Sequence, residues 1–219
     1  DIIYMLRRHS VTGAFIVFNG QDNAVTTKTG LYRSGLYIRD LDPLSNPEGM
    51  SDLLIERAPS ALTKQLGISM DVAWMPGFSF DNETADENSE YYNKPYQAAL
   101  RYPDADFTDL GYWSTPFRLY NDDVPVITYS VPLIDKNNQP YGVMGIEVTL
   151  DYIKSFLPYN ELNAGKKGAY ILGLDTDHNR SIQTVLSNGA TYKIFFGEED
   201  HVTYSSAEFY DDIYTADAT

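Results

Sequence analysis

The sequence predicts an α+β protein: an N-terminal helix, then two modules, each a mainly antiparallel sheet flanked by helices, the second small or incomplete. Three observations carry this. The stretch from Tyr91 to Pro158 reads as a short helix or loop, three strands joined by tight turns, and an amphipathic helix. A second set of short strand-like runs follows, GAYILGLDTD, SIQTVLSNG and YKIFFGEED, with polar turns between them. The chain opens on the apolar-basic helical pattern DIIYMLRRH, which Gly13 ends. The expected division is residues 1–12 for the end of a helix, 13–158 for the first module and 159–219 for a partial second one.

In chain order, Ile2, Ile3 and Leu6 lie on one side of the opening helix. AFIVFNG is a strand, and the pair Asn19-Gly20 is expected to turn it. GLYIRDLDP is a second β-run, alternating from Leu36 to Ile38 and stopped by Pro43. SDLLIERAPSALTKQLG reads as a helix with Ser51 as N-cap and an apolar stripe of Leu53, Leu54, Ala61, Leu62 and Leu66. Pro59 must kink that helix or split it, and Gly67 stops it. ISMDVAWMPGFSF is a strand containing Trp74, and the acidic run DNETADENSE is a solvated loop. Within that loop Asn82-Glu83-Thr84 fits a glycosylation sequon, a triplet common by chance. Asn121-Asp122-Asp123 and Lys136-Asn137-Asn138 turn the three later strands into one another. The C-terminal HVTYSSAEFYDDIYTADAT shows no recognisable closing strand.

Composition narrows the function. The 219 residues carry 43% hydrophobic and 14% aromatic side chains, enough for a real core and too many for global disorder. Tyrosine dominates the aromatics, 18 against 2 tryptophans, which suits a polar-lined pocket, an interface or a wet sheet face. A formal charge of −15 repels phosphate backbones and argues against nucleic-acid partners. The absence of cysteine excludes disulfides, thiolate zinc sites and cysteine nucleophiles. No run of about 20 apolar residues is present to span a membrane. The opening without an initiator Met reads as an excised piece of a longer protein.

Chemical motifs are sparse. Asp175-Thr176-Asp177-His178-Asn179-Arg180 begins like a calcium loop, but Arg180 and Leu186 stand where Gly and a bidentate Glu are needed, so a hairpin turn is the better account. His9, His178 and His201 lie far apart, without HExxH spacing. No nucleophile elbow or phosphate loop is found, so no enzyme, metal site or cofactor is expected. The sheet says more. Alternation along Tyr141–Leu150 places Val143, Gly145 and Glu147 on one side and Met144, Ile146 and Val148 on the other, core side. A glycine on a central strand leaves room for an approaching group, and Glu147 could meet an amine or cation there. An exposed Glu beside a twist-promoting glycine is the plainer reading. Tyr112, Trp113 and Phe117, at the start of the first of the three later strands, and Tyr129 in the second could hold an ammonium or a flat solute; ordinary core is the alternative. Arg39 could supply charge for a ligand carboxylate, although a surface position is the simpler expectation.

The phrases GYWSTPF, ITYSVPL and YGVMGIEVTL, in this order, resemble the central strands of double-Cache domains, the PAS-like (PDC) extracytoplasmic sensors of bacterial transmembrane receptors. The likeness is best over residues 91–158 and weaker over 10–90 and 165–219. It implies two PAS-like modules, the first membrane-distal and ligand-binding, the second membrane-proximal. It further implies an extracellular or periplasmic location, flanking transmembrane helices, a small-molecule ligand of open class, with an amine- or carboxylate-bearing metabolite one candidate, and a homodimer along the first helix. The cytoplasmic output would be a histidine kinase, diguanylate cyclase or chemotaxis module. The amino-acid-binding branch carries Arg-x-Trp-Tyr, then Tyr-x-Asp, then an Asp on the last strand. Here the first element reads Asn93-Lys94-Pro95-Tyr96, keeping Tyr96 alone; the second reads Phe117-Arg118-Leu119; Glu147 holds the third place. The expected ligand-binding set is therefore Tyr96, Trp113, Phe117, Tyr129, Glu147 and Arg39. A ligand-free structural, dimerisation or adhesion module is the competing reading, and a secreted hydrolase using clustered carboxylates is a third.

Overall fold

The computed structural model describes residues 2–9, 11–27, 30–44, 50–80, 89–157, 170–174, 181–188 and 201–203. The chain divides into two units, Asp1–Thr149 and Leu150–Thr219. The first is a seven-stranded sheet. Its strands are β1 (Gly13–Thr27), β2 (Gly30–Asp40), β3 (Leu53–Arg57), β4 (Ser69–Met75), β5 (Tyr112–Trp113), β6 (Val126–Ile134) and β7 (Pro140–Thr149). Their order across the sheet is β4-β3-β2-β1-β7-β6-β5. Every pair is antiparallel except β3 with β4.

β1 is central because AFIVF is apolar at every position, so both of its faces can be covered. Ala14, Phe15 and Val17 are all fully buried. On one face Phe15, Val17, Tyr37, Val126 and Val143 gather with Phe78, Phe117, Tyr91 and Tyr92. The two tyrosines come from α3 (Glu90–Arg101), which buries Tyr91, Tyr92, Pro95 and Ala99 along one side. On the other face Ala14, Ile38 and Ile55 meet Leu6 of α1 (Ile2–Arg8) together with Val11, Leu53, Ala58 and Ile68. Among the described residues no helix is long and apolar enough to cross a membrane.

Three elements differ from the sequence reading. Asn19-Gly20 lies inside β1 and makes no turn. Its asparagine is used by tertiary contacts: Nδ2 donates to the Tyr96 hydroxyl, and Oδ1 accepts from Tyr92 and Arg33. The expected helix from Ser51 is a strand followed by a helix, β3 and then α2 (Ser60–Leu66). Inserting LLIER between β2 and β4 buries four of its five residues, which outweighs the helical stripe. Pro59 then opens α2, its carbonyl accepting from Leu62 and Thr63 N–H, and Gly67 closes it at φ 65°. The strand expected through GYWSTPFRLY is reduced to β5 and an isolated bridge between Phe117 and Val126.

The second unit holds α4 (Leu150–Phe156) and an antiparallel sheet, β8 (Tyr170–Leu174), β9 (Ser181–Asn188) and β10 (His201–Thr203), in the order β10-β9-β8. The helix that the sequence reading assigned to the first module is grouped here with the second. A closing strand does exist, at His201–Thr203, where none was expected. The strand expected in YKIFFGEED, the calcium-like run and the acidic loop with its sequon lie outside the described residues.

Candidate functional site

The helix-covered face of the first sheet carries a row of four residues from adjacent strands: Arg39 on β2, Gly13 on β1, Glu147 on β7 and Thr128 on β6. Gly13 leaves a gap in the row, and Glu147 leans through it toward Arg39. Arg39 Nε donates to Glu147 Oε1 at 3.0 Å and Nη2 to Oε2 at 2.8 Å. The far end of the guanidinium grips Asp123, Nη1 to Oδ1 at 2.6 Å and Nη2 to Oδ2 at 3.0 Å. Tyr37 donates its hydroxyl to Glu147 Oε2 at 2.7 Å, and Thr12 Oγ1 donates to Oε1 at 3.2 Å. Both side chains are buried, Arg39 4% and Glu147 0% exposed. Burial alone would lower the Arg39 guanidinium, but Glu147 and Asp123 hold it well above its usual value. Burial, and after it the Glu147 carboxylate, raises the Tyr37 phenol well above its ordinary value.

Glu56 joins this group from β3. It occupies the irregular step where Tyr37 pairs with Arg57 but Ile38 pairs with Ile55. Arg39 Nη1 lies 3.1 Å from Glu56 Oε1, yet neither Glu56 oxygen has a hydrogen-bond partner. Burial pushes the Glu56 carboxyl up to about 7, against the pull of Arg39. Three buried carboxyl groups thus share one guanidinium.

Two further polar atoms on this face lack partners. Thr128 and Ser130 are fully buried, and neither hydroxyl makes a hydrogen bond. They are neighbours on one side of β6, opposite Glu147 and Gly145. The aromatic wall over this face includes Tyr91, stacked on Phe117 at 5.3 Å between ring centroids, and Tyr92, stacked on Tyr96 at 5.5 Å. Among the described residues no group of three His, Asp or Glu side chains could hold a metal ion.

The residues expected to bind ligand are divided by the sheet. Arg39 and Glu147 meet directly, and Phe117 and Tyr96 belong to the aromatic cluster on the same face. Trp113 and Tyr129 pair with each other, ring centroids 5.1 Å apart, in phase with Ile146 on the opposite face. Trp113 is 47% exposed there. Three expectations are corrected. Arg39 is a buried clamp and not a surface residue, because two carboxylates reach it through the core. The side of β7 bearing Val143, Gly145 and Glu147 is the more buried one, while Met144, Ile146 and Val148 are half-buried. Nor is Gly145 bare: a Cβ there would lie 2.6 Å from Cζ of Phe15, whose ring fills the space. Glu56, Asp123, Tyr37, Thr128 and Ser130 were not singled out from sequence. The alternation Tyr37–Arg39 was a usable signal for Tyr37; the pairing of Glu56 depended on reading LLIER as a strand.

This is the architecture of an α+β sheet domain with a buried polar centre beneath an aromatic helix. Residues 72–155 match the family of methyl-accepting chemotaxis protein-like, first PDC sensor domains, the class that the wording of its strands resembles. The chain is similar in fold to the periplasmic sensory domain of the Campylobacter jejuni chemoreceptor Tlp1, at 10% identity and a TM-score of 0.45, covering 86% of this chain and 54% of that one. It is also similar to the extracellular domains of two proteins named as histidine kinases. For mmHK1S-Z3 the identity is 14% and the TM-score 0.46, with 91% of this chain and 56% of that one covered. For soHK1S-Z6 the values are 14% and 0.43, with 84% and 50% covered. The chain therefore spans about half the length of the solved structures it matches. No curated protein matches it.

Proposed function

We propose that the first unit is the extracytoplasmic, ligand-sensing part of a membrane-bound signal-transduction receptor. In this reading a small molecule binds on the face between α3 and β6, and the altered packing is passed to a cytoplasmic kinase, cyclase or chemotaxis module, in a protein that dimerises. The carrying observation is the pair of buried, unpartnered hydroxyls on Thr128 and Ser130. An unmade hydrogen bond at a buried polar atom costs about 1–3 kcal/mol, so these positions favour a polar occupant. The PDC match over residues 72–155 supports the same reading. A ligand can move the equilibrium between two arrangements only by its difference in affinity for them. Thermal unfolding against a panel of amines, carboxylates and neutral metabolites tests it. A ligand at about 100 times its Kd adds roughly 2.7 kcal/mol, a melting shift of about 5–10 °C for a chain of this size. A flat response across the panel, in the wild type and in Ser130→Ala alike, argues for the second reading.

That second reading is a ligand-free structural or dimerisation module. The observations favouring it are the Phe15 ring filling the space at Gly145 and the neutralisation of Glu147 by Arg39, which leaves that carboxylate no free acceptor for an amine.

A further inference from the structure

The three carboxyl groups around Arg39 are not equivalent. Arg39 presents five N–H donors in a fixed planar fork. Its Nε and Nη2 hydrogens go to Glu147 and Asp123, and Nη1 commits its short bond to Asp123. Asp123 takes two further backbone donors, from Leu119 and Val124. Glu147 has Tyr37 and Thr12 in addition to Arg39. Glu56 receives none of these and is 1% exposed. An ionised carboxylate without hydrogen bonds is costly in such a place, whereas a neutral carboxyl group is far less so.

We propose that Glu56 is a proton-binding site that makes the first unit responsive to the pH of its medium near neutrality: it holds a proton in mildly acidic medium, releases it in mildly alkaline medium, and on release competes with Asp123 for Arg39. This goes beyond the ligand-sensing proposal and does not depend on it. The charged and titratable groups around Glu56 come from every neighbouring element. Arg39 on β2 attracts its anion; Asp71 on β4, Asp123 in the turn before β6 and Glu147 on β7 oppose it. Asp71 is itself held by the Tyr120 hydroxyl, at 3.3 Å. Arg57, next in sequence, turns its guanidinium to the Glu56 and Ala73 carbonyl oxygens, at 2.7 and 3.1 Å.

The sign follows from linkage. Burial raises the folded-state carboxyl to about 7 from an ordinary 4.5. Between those values the folded chain binds the extra proton and the unfolded chain does not, so stability falls as pH rises through that window and levels off above it.

The test compares melting of the 219-residue chain with that of Glu56→Gln across this window. The Gln variant imitates the protonated group permanently. The expected result is near-equal melting at about pH 5 and a wild type lower by roughly 5 °C or more at about pH 8. A difference between the two proteins that does not change with pH overturns the proposal. If the Gln variant does not fold, side-chain carboxyl NMR of the 13C-glutamate-labelled wild type, assigned through bonds to Glu56, decides alone. A midpoint near neutrality supports the site; a midpoint below about 5.5, in the range of ordinary glutamates, removes it.

Discussion

Arg39 and Glu147 sit on strands that do not touch, and they meet at 2.8 Å across the backbone of Gly13 on the strand between them. The contact needs a residue without a side chain at that one position. It also draws Asp123 into the core, so that a turn residue becomes part of a buried charge cluster. A structural reason for Gly13 thus replaces the simple helix-breaking role suggested by its place after α1.

Gly13→Ala is expected to destabilise the first unit by about 1–3 kcal/mol through overpacking. The added Cβ would lie 2.9 Å from Glu147 Cβ and 3.0 Å from Oε1. The first atom is anchored to β7 and the second is locked on Arg39, so neither yields cheaply. Urea unfolding measures the loss, and a midpoint equal to that of the wild type would show that the row has more slack than its geometry implies.

Breaking the clamp from one side should cost more than its net contribution. Arg39→Met leaves Glu147 and Asp123 buried without their cation, and a loss of about 3–5 kcal/mol is expected. Glu147→Leu leaves Arg39 with Asp123 and should cost less. In a double-mutant cycle the paired change should be milder than the sum by about 0.5–3 kcal/mol. Strict additivity in urea unfolding would mean that the two side chains do not act as a unit.

Phe15 is the aromatic side chain on which the other half of this face depends. Its ring stacks on Tyr37 at 5.1 Å, meets Tyr91 edge-on at 5.0 Å and covers Gly145. Phe15→Ala should cost about 3–5 kcal/mol, the range for emptying a fully buried aromatic site. Phe15→Leu should recover most of that. If the Ala variant instead loses little and gains affinity for small apolar solutes, the space at Gly145 is an occluded pocket.

Local pattern made part of this legible. The Gly67 stop and the stacked apolar run of β1 each follow from a few neighbouring residues, and the structure holds both; the alternation in Tyr141–Leu150 also gives a strand, but with its more buried face the reverse of the expected one. What failed was decided at long range. Asn19-Gly20 has the composition of a turn, but its asparagine is held by Tyr92 and Tyr96, more than 70 residues away. LLIER has a helical stripe, yet two flanking strands claim it. Glu147 stood out as an isolated charge, but nothing local reveals that Arg39 neutralises it, since the pairing crosses 108 residues. The opposite faces of Trp113 and Phe117 likewise depend on β5 being only two residues long.

That division gives the sharpest test of where a ligand sits. Trp113 and Tyr129 lie on the face away from α3, and Trp113 is half in solvent. Trp113→Ala should change stability by only about 0.5 kcal/mol, as exposed substitutions usually do, and should leave any ligand-induced melting shift intact. Thr128→Val and Ser130→Ala remove the unpartnered hydroxyls while nearly keeping shape. In the unliganded chain they should be neutral or slightly stabilising, because no hydrogen bond is lost and an uncompensated polar atom disappears. With a ligand that bonds those hydroxyls, the same substitutions should remove most of the melting shift. If Trp113→Ala abolishes the shift and the β6 variants preserve it, binding is on the opposite face and the aromatic pair is the site.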